Sequence, residues 1–235
     1  LFRKNVIASG LILGFAASAK TTGLLFVLLA PTRSLPVAAI IFLLFSPYTI
    51  LDWTHFKESM DYESGVALGR FSVPYTLQFL KTIPYVYQLQ TMLWQAGPVV
   101  VFGFMGLAML LTKFRTYQSF LIFPVVYFLW QGSWFAKFAR YNVPLLPFLT
   151  ISAAWLLVFL FQKFSKRKFH LSICLFVYLF IGVSHALWGV MNWTIYLRPQ
   201  TRIEASKWIV QNIPSNAQIY TEHWNDGLPV YLPSD

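Results

Sequence analysis

The chain has 235 residues, of which 57% are hydrophobic and 11% charged, and it contains 23 Phe, 12 Tyr and 9 Trp. A soluble domain is about 25% charged and about 45–50% apolar, so a water-soluble fold of this sequence would expose too much apolar surface. Soluble enzymes, disordered segments and secreted disulfide scaffolds are therefore excluded, the last because Cys174 is the single cysteine.

The net charge of +10 does not indicate a nucleic-acid partner. Many basic residues stand in short clusters between apolar runs, as juxtamembrane anchors do. The eight acids form two patches: Asp52, Glu58, Asp61 and Glu63, then Glu204, Glu222, Asp226 and Asp235. We therefore expect the lipid bilayer, and not nucleic acid, as a partner.

Charge-free apolar stretches predict the membrane spans, because a helix needs roughly 20 apolar residues to cross the hydrocarbon. The predicted spans are two short segments within 5–30 and single helices near 34–51, 94–112, 117–136, 142–162 and 169–191. Residues 5–30 could instead form one long helix. Lys20 would then lie deep in the membrane, where inserting its charged side chain costs about 2.5–3.5 kcal/mol. We favour two segments that meet at Lys20 near the outer surface. Gly10 and Gly14 supply a small face for close helix contact.

Short basic loops set the predicted orientation. Residues 113–115 and 163–168 fall on one side of the membrane together with Arg33, and the positive-inside rule makes this side cytoplasmic. The loop 52–90, the turn 137–140 and everything after Leu197 then lie outside. The sequence predicts a multi-pass protein of the plasma (inner) membrane.

Residues 198–235 have a different character. Thr201–Asn212 predicts a surface helix that Ile213 and Pro214 end, and residues 218–221 predict a short strand. We expect an internal piece of a longer protein, because the sequence starts without Met and stops within this segment. The predicted fold class is mostly α: a polytopic transmembrane helix bundle over 1–197, followed by the start of an extracytoplasmic α/β segment.

Asp52 is the first candidate for chemistry, because it ends the apolar run SPYTILD at the predicted water interface. A carboxylate held there can act as general base toward a hydroxyl, worth about 10²–10⁴ in rate, or hold a divalent cation on a phosphate. The alternative is that Asp52 caps the next short helix. Glu58, Asp61 and Glu63 follow in an aromatic-rich segment, where a solvated helix face explains them equally.

Cations near the outer surface form a complementary set. Arg binds phosphate in bidentate fashion and Lys supplies a point charge, so these side chains could converge on a lipid phosphate: Lys20, Arg70, Lys81, Lys137 and Arg140. Snorkelling at helix ends is the alternative. Arg140 differs, because Pro144 and Pro147 fix the backbone after it. The sequence has no Cys/His spacing typical of a metal site.

Four stretches together resemble the GT-C class of polytopic glycosyltransferases, in the branch of protein O-mannosyltransferases and aminoarabinose-transferase-like enzymes. They are GLILGFAASAKTTGLLFVLLAP (10–31), FSPYTILD (45–52), RYNVPLLP (140–147) and TRIEASKWIVQNIPSNAQIYTEHWNDGLP (201–229). The first is similar to a Gly-rich helix with a Thr/Ser-Lys junction, and the second to a helix end that opens a periplasmic loop. The third is similar to an Arg-Tyr-x-x-Pro-x-x-Pro helix entry, and the fourth to the outer segment after the last helix.

The resemblance implies transfer of a sugar from a polyprenyl-phosphate donor to a hydroxyl- or amine-bearing acceptor on the outer face. We expect Lys20, Arg140 and Tyr141 to contact the donor phosphate, because Lys20 and Arg140 share the same predicted depth at the outer interface. In the resemblance, Asp52 could correspond only to a secondary acid. The principal acid of the family lies in the first outer loop, which would precede Leu1, so we expect this piece to be inactive alone. The resemblance implies no organic cofactor and leaves a divalent cation open.

Two other classes of function stay open. A transporter or flippase of a lipid-linked or small solute would place charges mid-membrane, at broken helices in paired repeats, and only Lys20 fits that pattern. A non-catalytic membrane assembly subunit would need no acids near the cations. A shared outer cavity around Lys20, Asp52 and Arg140 favours sugar transfer, whereas a central pore favours transport.

Overall fold

The structure is a computed structural model that describes residues 5–164, 168–221 and 227–230. It is mostly helical (78%), which confirms the mostly α class, and the described residues form no strand. The α-helices of the described residues are α1 (Val6–Ala19), α2 (Leu35–Phe45), α3 (Tyr48–Leu51), α4 (Trp53–Ala67), α5 (Val86–Ala96), α6 (Val99–Leu111), α7 (Phe114–Gly132), α8 (Leu146–Phe164), α9 (Lys168–Trp193) and α10 (Thr201–Asn212). Short 3₁₀ helices stand at Thr21–Leu28, Thr32–Ser34, Pro74–Phe79, Ala139–Tyr141, Val143–Leu145 and Thr194–Leu197.

The chain divides into two compact units, Leu1–His185 and Ala186–Asp235. The division falls within α9, earlier than the predicted boundary after Leu197. The first unit holds the main core cluster, which consists of Met92, Val100, Phe123, Tyr127, Leu145 and Leu149. In the second unit the backbone N–H of Val230 donates to the Ser206 hydroxyl of α10 at 2.9 Å.

The predicted C-terminal α/β segment is present only as its helix. Residues 218–221 adopt neither helix nor strand, and Tyr220 is 90% exposed. A strand needs the backbone hydrogen bonds of a neighbour, and the described residues offer none. Residues 222–226 and 231–235 of the predicted segment, and 165–167 of the predicted cytoplasmic loop, lie outside the described residues.

The N-terminal apolar stretch breaks at Lys20. Helix α1 ends at Ala19, Lys20 is extended (φ −160°, ψ 134°), and the 3₁₀ helix Thr21–Leu28 begins after it. A Cβ on Gly23 would lie 2.1 Å from the Ala16 carbonyl oxygen, so the 3₁₀ helix runs against the last turn of α1. The chain thus forms two short helical segments that meet at Lys20.

Glycines set the closest helix contacts of the first unit. A Cβ on Gly10 would lie 2.5 Å from Val37 Cβ of α2, and one on Gly14 would lie 2.6 Å from Ile41 Cβ. The predicted small-residue face of α1 is therefore confirmed as its contact with α2. In the same way, a Cβ on Gly106 of α6 would lie 2.1 Å from the Ser152 carbonyl oxygen of α8.

Two helical stretches, Ala139–Phe164 and Leu175–Asn212, are long and apolar enough to cross a membrane. Other predicted spans are divided. The span near 34–51 breaks after Phe45, where Pro47 begins a new turn. The span near 94–112 breaks at Gly97, whose φ of +68° suits glycine, and Pro98 is the N-cap residue of α6.

Candidate functional site

The candidate site is a cavity of about 520 Å³ that we call the α4–α7 cleft. It lies in the first unit, between one face of α4, the 3₁₀ helix Thr21–Leu28 and the end of α7. Its lining residues are Lys20, Thr21, Thr22, Leu24, Leu25, Met60, Glu63, Ser64, Ala67, Leu68, Tyr127, Trp130, Trp134 and Tyr141. The end of α4 is tied to the segment after α7, because the Ala136 N–H donates to the Ala67 carbonyl at 3.0 Å.

An aromatic wall forms the α7 side of the cleft. Tyr127 and Trp130 are three residues apart on α7 and therefore share one helix face. Ring centroids are 4.6 Å apart between Trp130 and Trp134 and 5.5 Å apart between Trp134 and Tyr141, in edge-to-face geometry. These contacts are of the kind that fixes aromatic rings relative to one another, so the wall is a defined surface.

The three residues predicted to contact a phosphate come together at this wall. Lys20 Nζ lies 5.3 Å from the centroid of the Tyr141 ring, and Arg140 Cζ lies 5.5 Å from the same centroid. The guanidinium also lies 4.5 Å from the Phe138 ring. Within the described residues neither cation forms an ion pair with a carboxylate. Two unneutralised cations beside one ring attract an anion.

Hydrogen bonds from two side chains, Tyr127 and Gln95, hold the turn that carries Arg140. The Tyr127 hydroxyl donates to the Tyr141 carbonyl at 2.8 Å, and Gln95 Nε2 of α5 donates to the Ala139 carbonyl at 2.8 Å. Sequence reasoning missed both residues. The sequence signal that could have found Gln95 is its spacing from Gln88, since the two amides are seven residues apart on one face of α5. Gln88 Nε2 donates to the Gly132 carbonyl at the end of α7 at 3.0 Å.

Asp52 lies apart from this group. It is not among the lining residues of the cleft, and its carboxylate accepts a 2.7 Å hydrogen bond from His55 Nδ1. It makes no side-chain capping bond to the backbone of α4. The bond with His55 holds the pKa of the Asp52 carboxyl below its ordinary value and raises the pKa of the His55 imidazole. The catalytic role of Asp52 stays a prediction.

The acid that does line the cleft is Glu63. The sequence placed it in the same acidic patch as Asp52 and gave no reason to prefer it. The signal that could have found it is the spacing of α4, because Glu63 shares a helix face with apolar Met60, Ala67 and Leu68. Ser64 lies on the same face, and the Glu63 side chain is exposed.

The other predicted cations do not join the Lys20–Arg140 pair. Arg70 Nη2 donates to the Ser64 hydroxyl at 3.0 Å, so Arg70 lies at the α4 side of the cleft. Lys137 is 2% exposed and its ammonium donates to the Phe135 carbonyl at 2.8 Å. Burial lowers the pKa of Lys137. Lys81 is exposed and has a positive φ of 64°.

The described residues contain no group of three His, Cys, Asp or Glu side chains that could hold a metal ion. No protein-family model, no curated protein and no solved structure matches the chain. The function proposed below therefore depends on the chemistry of the cleft and on the four motifs of the sequence.

Proposed function

We propose that the chain is part of a polytopic membrane glycosyltransferase of the GT-C class. It would transfer a sugar from a polyprenyl-phosphate donor to a hydroxyl- or amine-bearing acceptor on the extracytoplasmic face. The observation that carries the proposal is the meeting of Lys20 and Arg140 at the ring of Tyr141, on the edge of the α4–α7 cleft. These residues come from two of the motifs that resemble the family.

The proposed topology is multi-pass in the plasma (inner) membrane, with the loop 52–90 and the C-terminus outside. It is supported by the apolar side chains that remain exposed on the helices, such as Leu44 at 68% and Phe176 at 69%. Exposed apolar patches of this extent in a monomer need a covering medium, and lipid is the one that the composition predicts.

The proposed chemistry follows from the charges of the cleft. A polyprenyl-phosphate sugar carries a negative phosphate that becomes the leaving group, and Lys20 and Arg140 would stabilise the charge that develops on it. The aromatic wall would exclude water from the reacting sugar, because its rings pack edge to face. Asp52 remains the predicted secondary acid, for the acceptor or a divalent cation.

Donor binding tests the proposal. We expect Arg140→Ala and Lys20→Ala, each in the intact protein in lipid nanodiscs, to weaken binding of a polyprenyl-phosphate sugar by about 10–100-fold, because each removes a charged contact worth about 1.5–3 kcal/mol. Transfer to an acceptor should fall at least as far. Titration with a fluorescent donor measures the affinity.

Lys57→Ala is the matched control, because Lys57 is an exposed cation of α4 that is not among the lining residues of the cleft. Its donor affinity should equal that of the wild type. Wild-type affinity in both the Lys20 and the Arg140 variant would contradict the proposed phosphate site. Accumulation of donor or solute across vesicles without transfer would favour a transporter.

A further inference from the structure

A further cavity of the first unit lies between α8 and α9, and we call it the α8–α9 groove. It has a volume of about 320 Å³ and is lined by the last turns of α8, by α9 and by Phe102 of α6. The lining residues run from Leu157 to Phe164 in α8 and from Ile173 to Ile181 in α9, at spacings of three and four. Each helix therefore turns one face toward the groove.

The side chains that line the groove are all aliphatic or aromatic. Their one polar group is the Tyr178 hydroxyl, which donates to the Leu157 carbonyl and so joins α9 to α8. A polar solute would lose its hydrogen bonds to water in this groove without replacement, at a cost in free energy. The groove therefore suits an apolar occupant.

The lining favours a flexible chain over another helix. Helices approach one another in membranes through small residues, as Gly106 of α6 does against α8. The groove is lined by no Gly, Ala or Ser, and Phe164 and Val177 at its rim are 52% and 43% exposed. Such bulky side chains keep the backbone of a second helix at a distance, whereas an acyl chain bends to fill the space between them.

A cation lies beside the groove, at the end of α8. Lys163 Nζ is 5.8 Å from the ring centroid of Phe164, which lines the groove. Lys163 is exposed, and no carboxylate of the described residues forms an ion pair with it. The sequence has no acid between Glu63 and Glu204, and three more cations follow Lys163 directly: Lys166, Arg167 and Lys168. The chain itself does not neutralise this charge, which attracts an anionic headgroup.

We infer that the α8–α9 groove binds an anionic phospholipid, with an acyl chain between the two helices and the headgroup phosphate at Lys163. A phospholipid carries in one molecule the two chemistries that the site presents side by side. In the proposed topology this site lies in the cytoplasmic leaflet. The inference goes beyond sugar transfer, because the groove and the α4–α7 cleft share no lining residue.

A photoreactive side chain in the groove identifies the occupant. We place benzoylphenylalanine at Phe164 of the intact protein, in nanodiscs of equal parts dioleoyl phosphatidylglycerol and dioleoyl phosphatidylcholine. After irradiation, mass spectrometry should find the phosphatidylglycerol adduct in at least about fivefold excess over the phosphatidylcholine adduct. Equal amounts of the two adducts, no lipid adduct, or a cross-link to a protein segment would each overturn the inference.

The headgroup contact is tested with Lys163→Gln. One lysine near the membrane surface favours an anionic lipid by about fivefold, so the ratio of the two adducts should fall by about this factor. Lys113→Gln is the matched control, because Lys113 is an exposed cation of the other predicted cytoplasmic loop and does not line the groove. Equal falls in the two variants would show a general effect of charge and would overturn the assignment of the phosphate to Lys163.

The position of the acyl chain is tested with Val177→Trp, which fills the groove. This variant should lose the adducts of both lipids, and added phosphatidylglycerol should no longer raise its thermal midpoint, as it does for the wild type. Val183→Trp is the control on the same helix, because Val183 is 50% exposed and does not line the groove. Full adduct yield in Val177→Trp, or equal losses in both variants, would contradict the site. None of these measurements involves sugar transfer, so a failure of the proposed function leaves their outcomes unchanged.

Discussion

Helices α8 and α9 have similar apolar compositions but opposite environments. Helix α8 packs against α6, and Leu149, Ser152, Ala153 and Leu156 are buried along one of its faces. Gly103 and Gly106 of α6 allow this approach, since a Cβ on either would lie under 3 Å from the backbone of α8. Small residues on one helix thus decide how much of its neighbour is buried.

Helix α9 meets α8 mainly through Tyr178, whose hydroxyl donates to the Leu157 carbonyl and whose ring centroid lies 5.5 Å from that of Phe161. None of its described side chains is buried, and Leu179 is 67% exposed. A Cβ on Gly182 or Gly189 would meet no atom within 4 Å. Glycines of α9 therefore do not mark a helix contact, although they stand in a sequence as apolar as that of α8.

Helices of similar hydrophobicity, such as α8 and α9, can therefore differ in how much of their surface is packed against other helices. In lipid, apolar residues gain nothing by leaving the bilayer for a protein neighbour, so close packing and hydrogen bonds decide helix association. We therefore expect substitutions in α6 and α8 to affect stability strongly and equivalent substitutions in α9 to affect it little.

The largest effect is expected at the closest approach of α6 and α8. Gly106→Ala would place a methyl group 2.1 Å from the Ser152 carbonyl oxygen, and the helices would have to move apart. We expect a loss of about 3 kcal/mol in the free energy of unfolding, measured by denaturation in detergent micelles. An unchanged unfolding free energy would contradict the α6–α8 contact.

A smaller loss is expected from Leu149→Ala in α8. Leu149 is 2% exposed and belongs to the main core cluster. We expect a loss of ~2 kcal/mol in the free energy of unfolding, caused by the cavity that the smaller side chain leaves. The transfer free energy of the removed atoms adds little, because the protein interior and lipid are both apolar. The same denaturation assay measures it.

Leu179→Ala of α9 is the matched control for Leu149→Ala, because it removes the same atoms from a side chain that is 67% exposed. Its unfolding free energy should stay within about 0.5 kcal/mol of the wild type. Equal losses in the two variants would mean that α9 is packed as tightly as α8, and the comparison would fail.

The smallest effect, and one of opposite sign, is expected from Gly182→Ala in α9. The new methyl group meets nothing within 4 Å, and alanine is the better helix former by about 0.5–1 kcal/mol. Helix α9 should therefore become more stable by about this amount in the same assay. A loss as large as that of Gly106→Ala would reveal a close neighbour of α9.

The two cations at the edge of the cleft could be identified largely from local sequence. Lys20 interrupts a long apolar stretch, and Arg140 precedes two prolines in a short turn, so each position has a local cause. The structure places both within 5.5 Å of the centre of the Tyr141 ring. Their meeting itself depends on Gln95 and Tyr127, whose hydrogen bonds join the turn to α5 and α7. The spacing of Gln88 and Gln95 on one face of α5 marks Gln95 in the sequence but does not show what it meets.

The acid of the cleft could not be identified in this way. Asp52 stood out in the sequence because it ends an apolar run, whereas Glu63 lies in the middle of a polar segment. Periodicity puts Glu63 on one face with Met60 and Ala67, but it does not say what that face meets. The bond between Ala136 and Ala67, which ties the end of α4 to the segment after α7, turns this face toward the cleft.

The sequence by itself determined the mostly helical structure, the scale of the apolar surface and the helix contact of Gly10 and Gly14, because these depend on composition and on spacing within one segment. The tertiary structure decided which acid lines the cleft, which helices are buried and that residues 218–221 form no strand. Such features depend on partners distant in the chain, and a strand or a buried face exists only where a partner supplies its hydrogen bonds or its packing.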